Sequence, residues 1–344
     1  MRLKFGKRST SLSVLLSALL LGIHPSAALA AETVPSSEPS TEIDHALLWG
    51  RDIDEITADV TVKLGFQVRP GRNPGGVANR YVRMGDLSYI ELFAKTRADP
   101  EMDPGMQADQ ASLRGGAGAR TFGLRSTVLD KLPGQLRQQG FAPTPIFTAP
   151  LDDPDGDGPG HPPRWRLFAF APQPLSSNLF FIDYAKLLAT PTRTTDARIA
   201  PQHPNGAREL SAIWLLSADA DADRKQFEKM GLNGAVRVRI PQIAARGYCV
   251  PVGGKRLFAL QPDGAGIAAN VLREGGPQML AISIGVADLE QAQRRVERGY
   301  ETELARYRGA LGEAFMAPTQ ADLGLLVEFH ESARTPAGCG VSAG

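Results

Sequence analysis

A strand, a helix and further strands follow one another four times along the chain, and this repetition constrains the fold more than any other feature. In the first copy Asp52 opens a helix that runs to Lys63, and Gly65 follows its end. Aspartate at a helix start accepts free backbone N–H groups, and glycine just past the end adopts left-handed geometry. The strands of this copy are predicted at 43–49, around 66–68, at 79–82 and at 88–93, which gives the order βαβββ.

Three later segments repeat this order. They begin with strands at 120–125, 210–216 and 280–285, continue with helices at 128–139, 221–230 and 288–298, and close with strands at 179–183, 256–260 and 325–329. Gly65 lies 166 positions before Gly231, and His45 lies 166 positions before Ser211, so two copies share one spacing. The sequence therefore predicts an α+β fold of four modules. The alternative is an α+β chain with unrelated strand–helix pairs.

The first 30 residues predict export. Four cationic side chains without an acid precede an apolar run at 12–23, and Ala28-Leu29-Ala30 comes directly before Ala31. These are the three parts of a cleavable secretory signal, whereas a membrane anchor would need about 20 apolar residues. We therefore predict a signal peptide at 1–30 with cleavage after Ala30, and a periplasmic or secreted protein. The Pro/Ser/Thr/Glu-rich residues 31–42 are predicted to be a disordered leader.

The charge of the mature chain argues against two classes of partner. Removing residues 1–30 changes the formal net charge from +1 to −3. A slightly acidic chain without runs of Lys and Arg has no electrostatic footprint for nucleic acid or anionic membrane. No later segment is long and apolar enough to span a bilayer. We expect a small-molecule ligand as the partner, and the sequence leaves the oligomeric state open.

Pro/Gly-rich stretches divide the chain into halves. The stretch at 190–208 is predicted to be a linker loop between a module pair at 43–189 and a more divergent pair at 209–331. Residues 332–344 are predicted to be a flexible tail. Cys249 and Cys339 either pair, which would tie the tail to the body, or remain as two separate thiols.

Several short segments carry a resemblance to a known family. They are Asp44-His45, Leu64-Gly65-Phe66, residues 73–80 (NPGGVANR), Tyr89-Ile90-Glu91-Leu92, Arg164-Trp165-Arg166, Phe180-Phe181-Ile182-Asp183 and His203-Pro204-Asn205-Gly206-Ala207. In order and spacing they resemble the glyoxalase-like branch of the vicinal-oxygen-chelate superfamily over roughly residues 43–232. The resemblance implies modules that pair into curled, cup-shaped mixed sheets with helices outside. It does not specify the reaction, because the superfamily includes isomerases, ring-cleaving dioxygenases, epoxide-opening transferases and drug-sequestering proteins.

The resemblance also implies a divalent metal ion, such as zinc, iron, manganese or nickel. In that family a His on the first strand and a Glu on the last strand of each module hold the ion. In the first module these residues are His45 and Glu91, which share one face of the sheet if both strands alternate regularly. One imidazole nitrogen and one carboxylate oxygen would leave positions open for two substrate oxygens.

The other modules depart from this pattern. The corresponding positions of the second module fall near Arg120 and near Ile182 or Asp183, and the fourth module keeps only Glu328. Two protein ligands rarely hold a transition metal tightly, so the missing ligands would come from Asp183 or His203. Arginine at a ligand position instead favours an anion site, because its guanidinium fork matches carboxylate or phosphate.

Further candidate residues lie in the same segments. Asn79, Arg80 and Asn205 are also predicted to contact a ligand. His203 lies in a Pro/Asn/Gly loop, where it is either a ligand or general base at the rim of the cup, or a loop-shaping residue bonded to backbone. There are also two interpretations of His45. It contacts a metal or a substrate, or it is a core histidine whose nitrogens are hydrogen-bonded within the protein.

Two functions remain in balance, and a third has less support. The first is a metal-dependent lyase, isomerase or oxygenase that acts on an oxygen-rich small substrate, with Glu91 and His203 as catalytic groups. The second is a non-catalytic protein that binds or sequesters an anionic or aromatic ligand through Arg120 and apolar walls, with a degenerate metal site. The third is a degenerate module that makes protein–protein contacts outside the cell.

Overall fold

Four βαβββ modules make up the part of the chain that the structure describes. This computed structural model describes residues 41–72, 74–153, 156–186, 201–332 and residue 339. The predicted order of strands and helices is present in all four modules, so the α+β prediction is confirmed. The predicted signal peptide, most of the predicted leader, the first part of the predicted linker and most of the predicted tail lie outside the described residues.

The first half contains two modules and a connecting helix. It consists of β1 (Thr41–Trp49), α1 (Ile53–Ala58), β2 (Arg69–Pro70), β3 (Val77–Arg83), β4 (Tyr89–Lys95), the connecting helix α2 (Pro104–Ser112), β5 (Gly118–Ser126), α3 (Leu132–Gln138), β6 (Phe147–Thr148), β7 (Trp165–Phe168) and β8 (Asn178–Tyr184).

The second half repeats this arrangement. It consists of β9 (Ala207–Leu216), α4 (Ala220–Lys229), β10 (Val236–Ile240), β11 (Ala245–Val252), β12 (Lys255–Pro262), the connecting helix α5 (Ile267–Gly275), β13 (Gln278–Val286), α6 (Leu289–Tyr300), β14 (Arg306–Gly309), β15 (Gly312–Ala317), α7 (Gln320–Leu323) and β16 (Leu326–Glu331).

Local sequence explains how the first helix begins and ends. The Asp52 carboxylate accepts the backbone N–H groups of residues 54 and 55 at 2.7 and 3.0 Å, as expected for a helix cap. The helix continues as a π-helical turn over Asp59–Lys63, and Gly65 follows with a φ of 77°. The strand predicted around 66–68 begins instead at Arg69, because the Phe66 N–H bonds back to the helix and the Gln67 N–H bonds to a side chain. Strand β1 begins at Thr41, inside the predicted leader.

Each pair of modules forms one eight-stranded mixed sheet. The strand orders are β2-β3-β4-β1-β5-β8-β7-β6 and β10-β11-β12-β9-β13-β16-β15-β14. In both sheets the first strands of the two modules are antiparallel neighbours, and each runs parallel to the last strand of its own module. The register of the first sheet places His45 directly opposite Gly123 on β5.

The two faces of each sheet contact different helices. The outer face of the first sheet carries residues such as Leu48 and Phe122, which share a core with α1 and α3. Its inner face carries Leu47 and Trp49, which form a separate cluster with Met106 of α2. Helix α5 packs on the inner face of the second sheet in the same way. The helix that follows the first strand of each module therefore lies outside, as predicted, whereas the connecting helices α2 and α5 cover the inner faces.

The outer layers of the two halves share one core. The rings of Phe66 and Phe329 stack with centroids 6.0 Å apart, and Lys63 pairs with Asp322 at 2.8 Å across the junction. Cys249 on β11 and Cys339 form a disulfide, which decides between the two alternatives left open by the sequence. Within the described residues, the helices are all too short or too polar to cross a bilayer.

Candidate functional site

A cluster of polar side chains lies on the inner face of the first sheet. Tyr89 and Glu91 are two residues apart on β4, so strand alternation turns both toward the same face. His45 lies beside them on β1, where it is paired with Tyr89 in the strand register. Tyr184 at the end of β8 completes the group from the other module. Both modules of the first half therefore contribute to one site.

A hydrogen bond to Asp44 and a stacked tyrosine ring hold His45 in place. Its Nδ1 lies 2.6 Å from the carboxylate of Asp44, which also accepts the Tyr184 hydroxyl at 2.8 Å. The Tyr184 and Tyr89 hydroxyls are 3.1 Å apart, and the Tyr89 hydroxyl lies 3.4 Å from His45 Nε2. The Tyr89 ring also stacks on the imidazole with centroids 4.2 Å apart. The imidazole plane is therefore fixed, and Nε2 faces the interior of the site.

Glu91 is the second ionisable group that Nε2 meets. Its Oε2 lies 3.7 Å from His45 Nε2, and its Oε1 accepts a hydrogen bond from Asn79 at 2.9 Å. Asn79 also donates to the Tyr81 hydroxyl at 2.8 Å. The predicted contact residues His45, Glu91 and Asn79 are thus brought together.

Burial determines the protonation of this cluster. Burial raises the pKa of Glu91, and the opposing effects of His45 and Asn79 offset it only in part. Burial also works against the charge of Asp44, but the hydrogen bond from His45, with the hydrogen bond from Tyr184 and the charge of Arg125, outweighs it, so the pKa of Asp44 is lowered. Burial raises the pKa of Tyr89 and of Tyr184 well above 10, which keeps both hydroxyls neutral. An ionised Asp44 is an acceptor only, so we assign the His45 proton to Nδ1.

The site opens toward solvent through aromatic side chains. Tyr81, Trp165 and Tyr184 are each partly exposed, and Trp165 and Tyr184 pack against the apolar inner cluster. Arg164 stands near this opening, where its charge acts on Glu91 and Tyr81 and its Nε donates to Asp153 at 2.8 Å. The opening therefore combines flat apolar rings with positive charge.

Two side chains of the cluster have the geometry to share a metal ion. A separation of 3.7 Å between His45 Nε2 and Glu91 Oε2 matches two ligands that each lie about 2.0–2.2 Å from one ion. The hydrogen bond from Nδ1 to Asp44 is also the usual outer support of a metal-bound histidine.

A third ligand is missing in the part of the chain that the structure describes, where no group of three or more His, Cys, Asp or Glu residues is arranged to hold a metal. The position opposite His45 is Gly123, and a Cβ there would meet the Phe180 ring at 2.7 Å and His45 Cε1 at 3.1 Å. The neutral hydroxyl of Tyr89 is a poor substitute for an anionic ligand. The donor set therefore does not fit a tightly held transition metal, which usually has three or four protein ligands.

Comparison with known families identifies the fold of this site. A family profile described as a glyoxalase-like domain matches residues 43–231, which is more than half of the chain. The chain belongs to the glyoxalase-like domain family. The match covers the whole first half and continues through β9 and α4 of this glyoxalase-like chain. The resemblance to the vicinal-oxygen-chelate superfamily is thereby confirmed.

Solved structures with the same architecture cover both halves. A mutant 4-hydroxymandelate synthase from Streptomyces coelicolor is 14% identical, with a TM-score of 0.59 over 88% of this chain and 95% of that chain. A catechol 2,3-dioxygenase is 16% identical, with a TM-score of 0.56 over 88% and 91% of the two chains. A xylose isomerase-like TIM barrel/4-hydroxyphenylpyruvate dioxygenase fusion protein is 13% identical, with a TM-score of 0.57 over 89% and 51%. At these identities the likeness establishes the fold alone. Among curated proteins, none matches the chain.

His203 and Asp183 do not join the cluster. His203 accepts the Gln67 N–H at Nδ1 (3.0 Å), and its Nε2 donates to the Arg83 carbonyl (2.8 Å), so both nitrogens are bonded to backbone. This geometry corresponds to the loop-shaping alternative for His203. Asp183 lies between two inward residues of β8 and pairs with Arg166 at 2.8 Å on the other face.

Three further candidates also lie elsewhere. Arg80 bonds to Thr57 at 2.8 Å and to Asp54 at 2.5 Å, which ties β3 to α1. Asn205 is fully buried and donates to the Leu64 carbonyl at 2.9 Å. Arg120 donates to the carbonyls of Ser112 (2.9 Å), Gly275 (3.2 Å) and Pro277 (3.0 Å), and it does not contact the polar cluster. Arg120 therefore meets the last residues of the two connecting helices, where a cation is favourable.

Sequence reasoning missed the roles of Asp44, Tyr89 and Tyr184. The signal for Tyr184 was the alternation of β8, since Phe180, Ile182 and Tyr184 share one face. Asp183, the ionisable residue between Ile182 and Tyr184, was predicted instead.

The second sheet carries a reduced version of the site. Glu328 on β16 occupies the last-strand glutamate position of its module, and its oxygens accept from Ser283 and Tyr307, both at 2.7 Å. Trp214 donates to the Ser283 hydroxyl at 2.8 Å. Burial raises the pKa of Glu328 to about 7. With apolar neighbours and α5 over this face, the group is enclosed rather than open.

Proposed function

We propose that the inner face of the first sheet is an active site for proton transfer on a small oxygen-rich molecule, without a tightly held metal. The observation that carries the proposal is the convergence of His45 Nε2 and Glu91 Oε2, 3.7 Å apart, with Asp44 holding the opposite nitrogen of the imidazole. Such an arrangement pairs a base with an acid of raised pKa, and separated protonation states are the requirement for acid–base catalysis.

The residues act in complementary roles. Asp44 keeps the His45 proton on Nδ1, so the Nε2 lone pair takes a proton from the carbon next to a carbonyl. The electrons of that C–H bond move into the carbonyl group, and Glu91 donates its proton to the carbonyl oxygen. Burial supports this role, because it holds the Glu91 proton to higher pH than in water. In an α-hydroxyketone the product of this step is an enediol. His45 then returns its proton to the former carbonyl carbon, while the hydroxyl on the carbon that lost its hydrogen gives its proton to Glu91 and becomes the new carbonyl, which completes an isomerisation.

Exchange of carbon-bound hydrogen with solvent tests this chemistry directly. α-Ketoaldehydes and α-hydroxyketones, with and without an aromatic ring, are incubated with the protein in D₂O and followed by proton NMR. General acid–base catalysis contributes about 10²–10⁴-fold, so we expect exchange at least about 100-fold above buffer. His45→Gln and Glu91→Gln should lose most of it, while the exposed control substitutions His161→Gln and Glu313→Gln should not. Exchange at the buffer rate across the panel would overturn the proposal.

The metal-free part of the proposal has its own measurement. Elemental mass spectrometry of the protein before and after chelator should find well under one equivalent of zinc, iron, manganese or nickel, and exchange should survive chelation. One retained equivalent that is lost in His45→Gln would show that the two ligands suffice. It would return the site to metal-dependent chemistry.

Binding without turnover is the second candidate, favoured by the partly exposed rings at the opening and by the incomplete ligand set. Benzoate, a planar anion, would stack against Tyr81 and Trp165 and meet the charge of Arg164. Quenching of tryptophan fluorescence should report it, and Trp165→Phe should remove the signal. Saturable benzoate binding in a protein that exchanges none of the panel would establish this function instead.

We also propose that the mature chain is exported. The signal-type residues 1–30 support this, and so does the Cys249–Cys339 disulfide, because disulfides persist in oxidising compartments. N-terminal sequencing of the protein from fractionated cells should begin at Ala31 in the periplasm or medium. An intact N-terminus in the cytoplasmic fraction would contradict it.

A further inference from the structure

Helix α2 lies on the inner face of the first sheet and is held there by few side chains. Met106 of the helix and the flanking residues Met102 and Leu113 are half-buried against the apolar inner cluster. Asp109 is the buried residue of the helix and is 1% exposed. A carboxylate therefore stands on the side of α2 that an apolar side chain usually occupies when a helix packs on a core.

Helix α5 has the corresponding place in the second half but is held differently. Its buried residue is Ala268, and Val271 and Leu272 pack against the inner cluster of the second sheet. Its ionisable residues Arg273 and Glu274 are exposed. Apolar packing thus holds α5, whereas an ionisable group contributes to holding α2.

Asp109 bonds to two strands of the first sheet. Its Oδ2 lies 2.6 Å from Thr121 Oγ1 on β5, and its Oδ1 accepts a hydrogen bond from the Asn178 amide on β8. The protonated acid keeps both contacts, because its Oδ2–H donates to the threonine oxygen. Ionisation also keeps both, but it places a negative charge in a buried position between two uncharged partners.

The charges near Asp109 offset its burial only in part. Arg120 on β5 favours the ionised form, and Asp103 at the start of α2 disfavours it, while Thr121 and Asn178 contribute uncharged donors. Burial is the largest effect and raises the pKa of Asp109 from 3.8 to about 6. The closed position of α2 therefore favours the protonated acid, and ionisation favours a position that returns the carboxylate to water.

Hydrogen bonds to backbone mark both ends of the segment that can move. Before the helix, the Glu101 N–H donates to the Gly75 carbonyl at 2.7 Å. At the end of the helix, Arg120 donates to the Ser112 carbonyl at 2.9 Å. Residues 102–111 lie between these two attachments, so they can lift from the sheet while both ends stay in place.

We propose that α2 is a flap over the inner face of the first sheet and that Asp109 is its latch, which holds the flap closed in acid and releases it toward neutral pH. The stabilisation of the closed flap is complete below about pH 3.8 and is lost as the pH rises through about 6. Proton linkage then raises the ratio of open to closed flap about 25-fold from pH 4.5 to pH 7.5. An open flap exposes part of the apolar cluster that includes Phe180, whose ring lies edge-on to His45 at 5.1 Å. The flap does not rest on the reaction proposed for that histidine.

Hydrogen–deuterium exchange of the full disulfide-bonded chain, followed by mass spectrometry, measures this opening without a substrate. After correction for the intrinsic exchange rate, protection of the backbone amides at 106–112 should fall at least about tenfold from pH 4.5 to pH 7.5. Asp109→Asn resembles the protonated acid and should show equal protection at both pH values. Asp99→Asn, at an exposed position before the helix, should behave like wild type, and α5 should keep its protection.

Two variants on β5 test the latch without changing the helix. Thr121→Val keeps the shape of the side chain but removes the hydroxyl that bonds to Asp109, so protection of α2 at pH 7.5 should fall at least about fivefold. Thr121→Ser retains the hydroxyl and should retain the protection. Equal protection of wild-type α2 at both pH values, the same pH effect in Asp109→Asn, or a parallel loss of protection in α5 would overturn the proposal.

Discussion

Glu328→Gln tests whether the enclosed acid of the second sheet makes stability depend on pH. Glu328 is 1% exposed, and the hydrogen-bond partners of its two oxygens are the hydroxyls of Ser283 and Tyr307. Hydroxyls stabilise a carboxylate less than a cation does, so burial prevails and the pKa rises from 4.5 to about 7.

The sign and size of the effect follow from proton linkage. Because the pKa is higher in the folded than in the unfolded chain, folding takes up a proton at this residue. The stabilisation is complete below about pH 4.5 and is lost as the pH rises through about 7. At about 1.4 kcal/mol per pKa unit, a rise from 4.5 to about 7 corresponds to about 3 kcal/mol lost by pH 8.5. Glutamine resembles the protonated acid and cannot ionise, so the variant should not show this loss.

Urea denaturation of the disulfide-bonded protein at pH 4.5 and 8.5, at constant ionic strength, measures the effect. The free energy of unfolding of Glu328→Gln relative to wild type should become more favourable by about 3 kcal/mol between the two pH values. A constant cost of burying the amide cancels in this difference. Glu313→Gln, at an exposed position of β15, should show no such change. An equal difference at both pH values would refute the assignment of Glu328 as a buried, cation-free acid.

Three further substitutions test the architecture by urea denaturation. Gly123→Ala should lower the free energy of unfolding by about 1–3 kcal/mol, because the added Cβ would lie 2.7 Å from the Phe180 ring. The control Gly134→Ala should be neutral or stabilising, because no atom lies within 4 Å of its added Cβ. Equal effects of the two substitutions would contradict the packing. His203→Ala should cost about 1–3 kcal/mol through two lost bonds to backbone yet leave hydrogen exchange at the His45 site unchanged, and lost exchange would reinstate His203 as a catalytic group. Replacing Cys249 and Cys339 with serine should cost about 2–4 kcal/mol, since the pair closes a loop over a separation of 90 residues, and a reductant should then affect only the wild type.

Local signals in the sequence were sufficient to predict the order of helices and strands in the modules. Asp52 and Gly65 mark the ends of the first helix because capping depends on neighbouring residues alone. The strand expected around 66–68 begins only at Arg69, because the preceding backbone groups bond to the helix end and to His203, which lies 136 residues beyond Gln67 in sequence. Such a long-range partner leaves no periodic trace in a single sequence.

Only the residues that the first module contributes to the site could be predicted, because alternation along its strands determines which side chains share a face. His45 and Glu91 were expected together and are together, and Asn79, a separate binding candidate, joins them. The contribution of the second module depends on register across β1 and β5, where irregularities occur after Ile43 and after Leu47. These shifts bring Gly123 rather than Phe122 opposite His45, three residues along β5 from the predicted Arg120, so the position opposite His45 carries no side chain.

The position of β9 in the second sheet has a consequence for how the chain can be divided. The family match ends at residue 231, after β9 and α4, yet β9 is a central strand held between β12 and β13. A fragment that stops there would expose both edges of a long apolar strand, and unpaired edges of this kind recruit other chains. A cut between residues 186 and 207 instead leaves each eight-stranded sheet with its own connecting helix. A division that follows the sheets keeps every strand paired but separates the outer core that the two halves share, so the whole chain is the unit to study.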